Sequence, residues 1–147
     1  MAFLNSMSVV GSGLTAQQLR LDVVSENITN QNTTRTEGGG AYRRKMVVFQ
    51  SQDSLSPFQQ ALARARGERT DPGGVQVTSI VEDPSDLKLV YDPTNPDANA
   101  QGYVEMPNVD LVKEIADAMA ASQAYSANVT AFNVLKQVTA KGLEIGK

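Results

Sequence analysis

The sequence predicts an α+β protein: long N- and C-terminal α-helices forming a coiled-coil-like layer, with a small β-rich middle domain between them. Three observations predict it. Near both ends, apolar residues recur at alternating spacings of three and four, the period of a helical seam. Between the ends, short β-branched and aromatic runs are separated by turn residues. All six prolines fall in that middle stretch and none in the terminal ones.

In the N-terminal stretch the seam is Met7, Val10, Leu14, Leu21, Val24 and Ile28, with Gln17 in the one remaining place. It predicts a helix from about Leu4 to Thr33, roughly 45 Å long at the α-helical rise. Gly11 and Gly13 weaken its start by about 1 kcal/mol each relative to Ala. The run from Asn30 to Thr34 and the Gly38-Gly39-Gly40 triplet end it.

The middle opens with a predicted strand over Tyr42–Phe49, followed by a short helix that Ser56-Pro57 introduces through Phe58, Ala61, Leu62 and Ala65. Asp71-Pro72-Gly73-Gly74 turns the chain into a strand over Val75–Val81. Two further short strands, Leu87–Tyr91 and Gly102–Met106, flank a stiff loop containing Pro93 and Pro96.

In the C-terminal stretch Asn108 is the predicted N-cap, with Asp110 in the first turn. The seam runs Leu111, Ile115, Ala118, Ser122, Tyr125, Val129, Phe132, Thr139 and Leu143, interrupted by Lys136. The resulting division is 1–36, helix; 37–107, β-rich, with a variable insertion at about 52–71; and 108–147, helix.

Composition narrows the function. Without Cys there is no disulfide framework or thiolate chemistry, and without His the commonest general base and metal ligand are missing. A net charge of -3 gives no basis for nucleic-acid binding. No apolar run approaches the roughly 20 residues that span a bilayer. The opening residues lack the basic and apolar regions of a cleaved signal peptide. No catalytic constellation is present in the pattern, and neither a cofactor nor a small-molecule substrate is expected.

Several local motifs read as structural. Arg43-Arg44-Lys45 alternates faces in a strand, which suits a solvated or inter-subunit role over a nucleic-acid patch. Asp92, Thr94, Asn95, Asp97 and Asn99 fail the order of a calcium loop and read as turn builders. Gly38–Gly40 lacks the Lys that a phosphate-binding loop requires, and the carboxylates Glu82, Asp83 and Asp86 sit in a polar loop. Gln17 in the first seam and Gln123 beside the second read as tolerated surface positions, the sharper alternative being that buried polar groups there fix helix register.

A middle of about 65 residues covers only part of two such helices. Apolar groups such as Val9, Val23, Val112, Met119, Leu135, Val138 and Ile145 are left over. Contiguous apolar patches mark association sites, and contacts that do not close into a ring give a helical filament.

Ser12–Asn30, with its Ala16-Gln17 pair and Asn27-Ile28-Thr29-Asn30 ending, resembles the N-terminal motif of the flagellar axial proteins, although Glu26 and Thr29 stand where Asn and Ala are common. Tyr42–Phe49, and the segment from Leu89-Val90-Tyr91-Asp92-Pro93 through Met106–Asp110 into Ala120–Val129, resemble the rod members of that family. Only about Gln52–Asp71 departs from the pattern.

The resemblance implies a structural subunit of the proximal rod, with terminal helices forming an inner layer and the middle an outer domain. Partners would be other rod proteins and copies of itself, together with the membrane-embedded basal-body ring and the export apparatus. Location would be periplasmic, after export without signal cleavage. The assembly positions are Met7, Val10, Leu14, Leu21, Val24, Ile28, Leu111, Ile115, Tyr125, Val129, Phe132 and Leu143. The competing reading is a self-contained adaptor with a closed helical hairpin and a peptide-binding middle.

Overall fold

The computed structural model describes residues 2–53, 57–66 and 72–145. Seven elements follow in order: α1 (Ala2–Thr29), β1 (Lys45–Asp53), α2 (Pro57–Ala65), β2 (Pro72–Glu82), β3 (Lys88–Tyr91), β4 (Tyr103–Met106) and α3 (Leu111–Ile145). The α+β expectation holds: two long helices at the ends and short strands between. Strand β1 pairs with β2, and β3 pairs antiparallel with β4, in two separate two-stranded sheets. Among the described residues no helix is long and apolar enough to cross a membrane.

Helix α1 stops at Thr29, four residues short of expectation. The Asn30 N–H and its side-chain amide both donate to the Glu26 carbonyl at 3.0 Å, and the chain then turns on itself. Asn is a poor helix interior residue because its side chain competes for backbone groups in this way. At the other end, α3 is capped by Asp110 and not by Asn108: Asp110 Oδ1 accepts the Val112 N–H at 3.1 Å, and its carbonyl accepts the Glu114 N–H at 3.0 Å. The loop before β4 is built as predicted. The Asp92, Asn95 and Asn99 side chains accept the N–H groups of Thr94, Asp97 and Gln101 two residues on.

The chain forms two compact units, and α1, α3, β1 and β2 each contribute to both. The first unit contains Met1–Gln18, Phe49–Thr78 and Ser122–Lys147. In it Ala16 is buried, and Gly13 marks a close helix approach, since a Cβ there would lie 3.0 Å from Asn128 Nδ2. Strand β2 meets α1 closely at Gly74, whose φ is +105° and whose Cβ would fall 2.3 Å from Ser12 Oγ. That hydroxyl accepts the Val75 N–H at 3.0 Å and donates to the Val9 carbonyl at 2.7 Å.

The second unit contains Leu19–Val48 and Ser79–Ala121. Its core is Val23, Val24, Tyr42, Val104, Pro107, Val109 and Ala121, with Asn27 and Glu114 buried among them. Val23, expected to be left over, is therefore covered within the chain.

Candidate assembly interface

Two polar residues, Asn27 and Glu114, stand among the best-buried positions of the second unit, and geometry explains why they are tolerated. Asn27 projects from the last full turn of α1 and uses its whole hydrogen-bonding capacity. Its Oδ1 accepts the Tyr42 hydroxyl and the Lys45 N–H, each at 2.9 Å. Its Nδ2 donates to the Lys45 carbonyl and to Glu114 Oε2, also at 2.9 Å. Glu114, in the first turn of α3, accepts Arg44 Nε at 2.6 Å through its other oxygen. Both Asn27 and Glu114 are fully buried, so one node joins the end of α1, the start of β1 and the start of α3.

The surrounding charges extend the node. Arg44 reaches Asp83 at 3.7 Å, and its backbone N–H donates to Asn108 Oδ1 at 2.8 Å. The Asn108 amide in turn donates to the Asp83 and Ser85 carbonyls and to Ser85 Oγ. Lys45 pairs with Glu26 and lies 5.6 Å from the centre of the Tyr42 ring. Arg20 pairs with Asp117. Burial, followed by the negative charges of Glu26, Glu114 and Glu82, pushes the Tyr42 hydroxyl pKa up to about 12. The Ser85 N–H and hydroxyl donating to Asp83, followed by Arg44 and Arg43, hold its carboxyl below the ordinary value.

Arg43-Arg44-Lys45 is thus neither a solvated run nor a strand segment alternating between faces. Arg44 and Lys45 are bound to carboxylates within the chain, and Arg43 donates to the Asp83 and Ser85 carbonyls at 3.4 and 3.2 Å. Strand β1 begins only at Lys45, because the preceding residues serve this network.

The predicted seam positions fall into two groups. On α1, Val24 is buried and Met7, Val10, Leu14, Leu21 and Ile28 are half-buried. On α3, Tyr125 and Phe132 are half-buried, whereas Leu111, Ile115, Val129 and Leu143 are exposed. The covered face of α3 follows Glu114, Ala118, Ala121, Tyr125, Asn128, Phe132, Leu135 and Thr139, alternating four and three. It shares every second position with the predicted seam and replaces the others with their neighbours on the preceding side.

What remains on α3 is an apolar surface with no cover among the described residues. Val112 is 76% exposed, Met119 69%, Val134 52%, Val138 59% and Leu143 70%. Gln123 is exposed, which removes it from any register role within the chain. Gln17 is half-buried, and its Oε1 is buried without a hydrogen-bond partner among the described residues. On α2, Phe58 is 75% exposed; Gly67, Glu68 and Arg69 of the Arg-rich segment 64–69 lie outside the described residues.

Asn27 and Glu114 escape a reading built on apolar positions. Their signal lies in the spacing: Ala16, Arg20, Val23 and Asn27 keep the four-three rhythm, so Asn27 stands where the buried stripe continues.

Two long terminal helices, one of them with uncovered apolar side chains, joined through short strands are the layout of a protein of the class that associates with other chains. Comparison with known proteins narrows that class to flagellar rod proteins. Residues 7–35 match the family described as flagella basal body rod protein, and residues 100–145 match flagellar basal body rod FlgEFG protein C-terminal. The flagellar basal-body rod protein FlgC of Bacillus subtilis (strain 168) is 47% identical over 152 residues, covering 100% of both chains. Those of Borreliella burgdorferi and Salmonella typhimurium are each 42% identical, over 99% and 100% of this chain and 98% and 100% of their own. The chain belongs to the FlgC family of flagellar basal-body rod proteins.

Proposed function

We propose that the chain is a structural subunit of the proximal part of the rod, polymerising through its terminal helices into a shaft that transmits torque, and that it performs no catalysis. In this reading residues 1–36 and 108–147 form an inner helical layer, and residues 37–107 an outer part that includes the insertion at 52–71. The partners are other rod proteins and copies of this chain, seated on the membrane-embedded ring. The location is periplasmic, reached through the flagellar export apparatus without signal cleavage.

The observation that carries this reading is the uncovered apolar surface of α3. Val112, Met119, Val134, Val138 and Leu143 all lie more than half exposed on one 35-residue helix. Large apolar surfaces of this kind mark contact with other chains. The seam residues Leu111, Ile115 and Val129, also exposed on α3, add to it.

Met119→Asp and Val138→Asp test it, because neither side chain supports the fold of the isolated chain. Each should leave the helix content of the purified protein unchanged while abolishing its incorporation into basal bodies and swimming. Normal swimming of both variants would overturn the proposal. The closed-hairpin adaptor accounts for the Asn27–Glu114 contact but leaves the exposed row of α3 without a purpose.

A further inference from the structure

The β3–β4 hairpin has two outer edges, and the protein treats them differently. Lys88 stands opposite Met106, Leu89 opposite Glu105, Val90 opposite Val104 and Tyr91 opposite Tyr103. One step further, the Asp92 N–H donates to the Gly102 carbonyl at 2.9 Å. Antiparallel ladders bond every second residue toward the same neighbour. Val90 and Lys88 therefore turn their backbone groups toward β4, while Leu89 and Tyr91 turn theirs outward.

The same alternation turns Tyr103 outward on β4, and that edge is closed at Tyr103 by its own loop. The Asn99 N–H donates to the Tyr103 carbonyl at 2.8 Å, and the Tyr103 N–H donates to Asn99 Oδ1 at 3.0 Å. The β3 edge has no counterpart among the described residues. All four β3 residues are exposed, and the two with outward backbone groups, Leu89 and Tyr91, are 65% and 64% exposed.

Edge strands are commonly guarded by a free lysine. Here the ammonium of Lys88 is tied back, donating to the Val109 carbonyl at 2.7 Å. Tyr91 is held in its exposed position, packed edge-on against Tyr103 with ring centres 5.3 Å apart. Gly102, at φ +80°, makes room for that ring: a Cβ there would lie 2.9 Å from Tyr91 Cε2. Leu89 and Tyr91, two residues apart, thus form a fixed apolar platform on one face of an open edge.

The rim of this edge is acidic. Asp86 precedes β3, Asp92 follows it, and exposed Glu105 stands across from Leu89. The unit that carries the hairpin holds seven Lys and Arg against twelve Asp and Glu.

We propose that the free edge of β3 is a docking site for an extended apolar segment flanked by Lys or Arg, contributed by a neighbouring rod protein and added to the hairpin as its third strand. Strand addition of this kind takes affinity from backbone hydrogen bonds and selectivity from alternate side chains. The inference rests on the subunit reading for the source of the strand, and adds to the helical contacts a second, sheet-edge contact.

The test uses the full chain and a synthetic peptide of alternating Val and Thr with two Lys at each end, followed by amide hydrogen exchange. The peptide should slow exchange at Leu89 and Tyr91 by about tenfold or more and leave Val90, already bonded to β4, unchanged. A peptide with Glu ends should bind about tenfold more weakly. Leu89→Pro removes one outward N–H at a place where edge strands accept proline, and should abolish the effect while Val90 stays protected. Leu89→Lys, which restores a free guard, should weaken binding about tenfold with the hairpin intact. Unchanged exchange at Leu89 and Tyr91, undiminished binding to both variants, or equal binding of the two peptides would overturn the proposal. In cells, normal swimming of Leu89→Pro beside immotile Met119→Asp removes the edge contact and leaves the helical one. The reverse pattern removes the helical reading.

Discussion

Asn27→Asp is a near-isosteric change at the centre of the buried node, and its cost follows from the hydrogen bonds around it. The side-chain nitrogen donates to Glu114 Oε2 and to the Lys45 carbonyl, both at 2.9 Å. Replacing it with oxygen removes both donors and sets a second carboxylate against a fully buried one. The lost bonds cost about 1 kcal/mol for the carbonyl and about 2 kcal/mol for the charged partner. Like-charge crowding raises the sum to roughly 4 kcal/mol at pH 7. The new carboxylate has a folded-state pKa above its unfolded one, so its deficit is smallest at low pH and grows as pH rises through the folded value. Asn27→Ala also loses its four bonds, at about 3 kcal/mol, but adds no titrating group and should show no such pH dependence. Urea unfolding of the full chain at pH 7 and pH 5 separates the two. The reasoning fails if Asn27→Asp lies within about 1 kcal/mol of the native protein at pH 7, or if its deficit does not shrink at pH 5.

Other perturbations reach the remaining parts of the fold. The Tyr42 hydroxyl, raised from 10.0 to about 12, contributes stability that is complete below pH 10 and is lost as pH climbs toward 12. The loss is on the order of 2 kcal/mol, measured by alkaline unfolding, and Tyr42→Phe should remove that pH dependence. Gly74→Ala forces a Cβ into Ser12 Oγ at a backbone φ of +105° and should lower stability by about 2–3 kcal/mol, read as a fall in urea midpoint. Gln17→Leu removes a buried acceptor that has no partner among the described residues and should stabilise the isolated chain by about 1 kcal/mol, while loosening helix register in assembled rods. Amide exchange on the isolated chain should find 23–28 and 114–121 best protected and 134–145 least, since the buried node lies in the first two and exposed valines in the last.

The elements legible in the sequence were those set by local chemistry. Proline at the start of α2 and the Asx turns at Asp92, Asn95 and Asn99 are decided by a few adjacent residues. The bounds of β2, β3 and β4 came within a few residues for the same reason. The register of α3 was less accessible. Its pattern supports two overlapping heptads that share Ala118, Tyr125, Phe132 and Thr139 and differ by one position between them, Ile115–Ser122–Val129 or Glu114–Ala121–Asn128, and small residues are weak markers of either. The choice depends on what faces the helix, and in the second unit that is Asn27, Arg44 and Arg20, residues 70 or more positions away along the chain.

That dependence gives the buried node its physical meaning. An apolar seam of alanine and valine tolerates sliding by one position at little cost, whereas the Asn27–Glu114–Arg44 set has one arrangement in which every polar atom is satisfied. Glu114 occupies the place on α3 that an apolar residue would take in an ordinary heptad, and so sets which face of the helix turns inward. Once that face is fixed, Val112 and Met119 are left outside. The polar core of this unit and the exposure of Val112 and Met119 are therefore two consequences of a single register. Substitutions that loosen the first, such as Asn27→Ala, should disturb the second even though they touch neither of its residues.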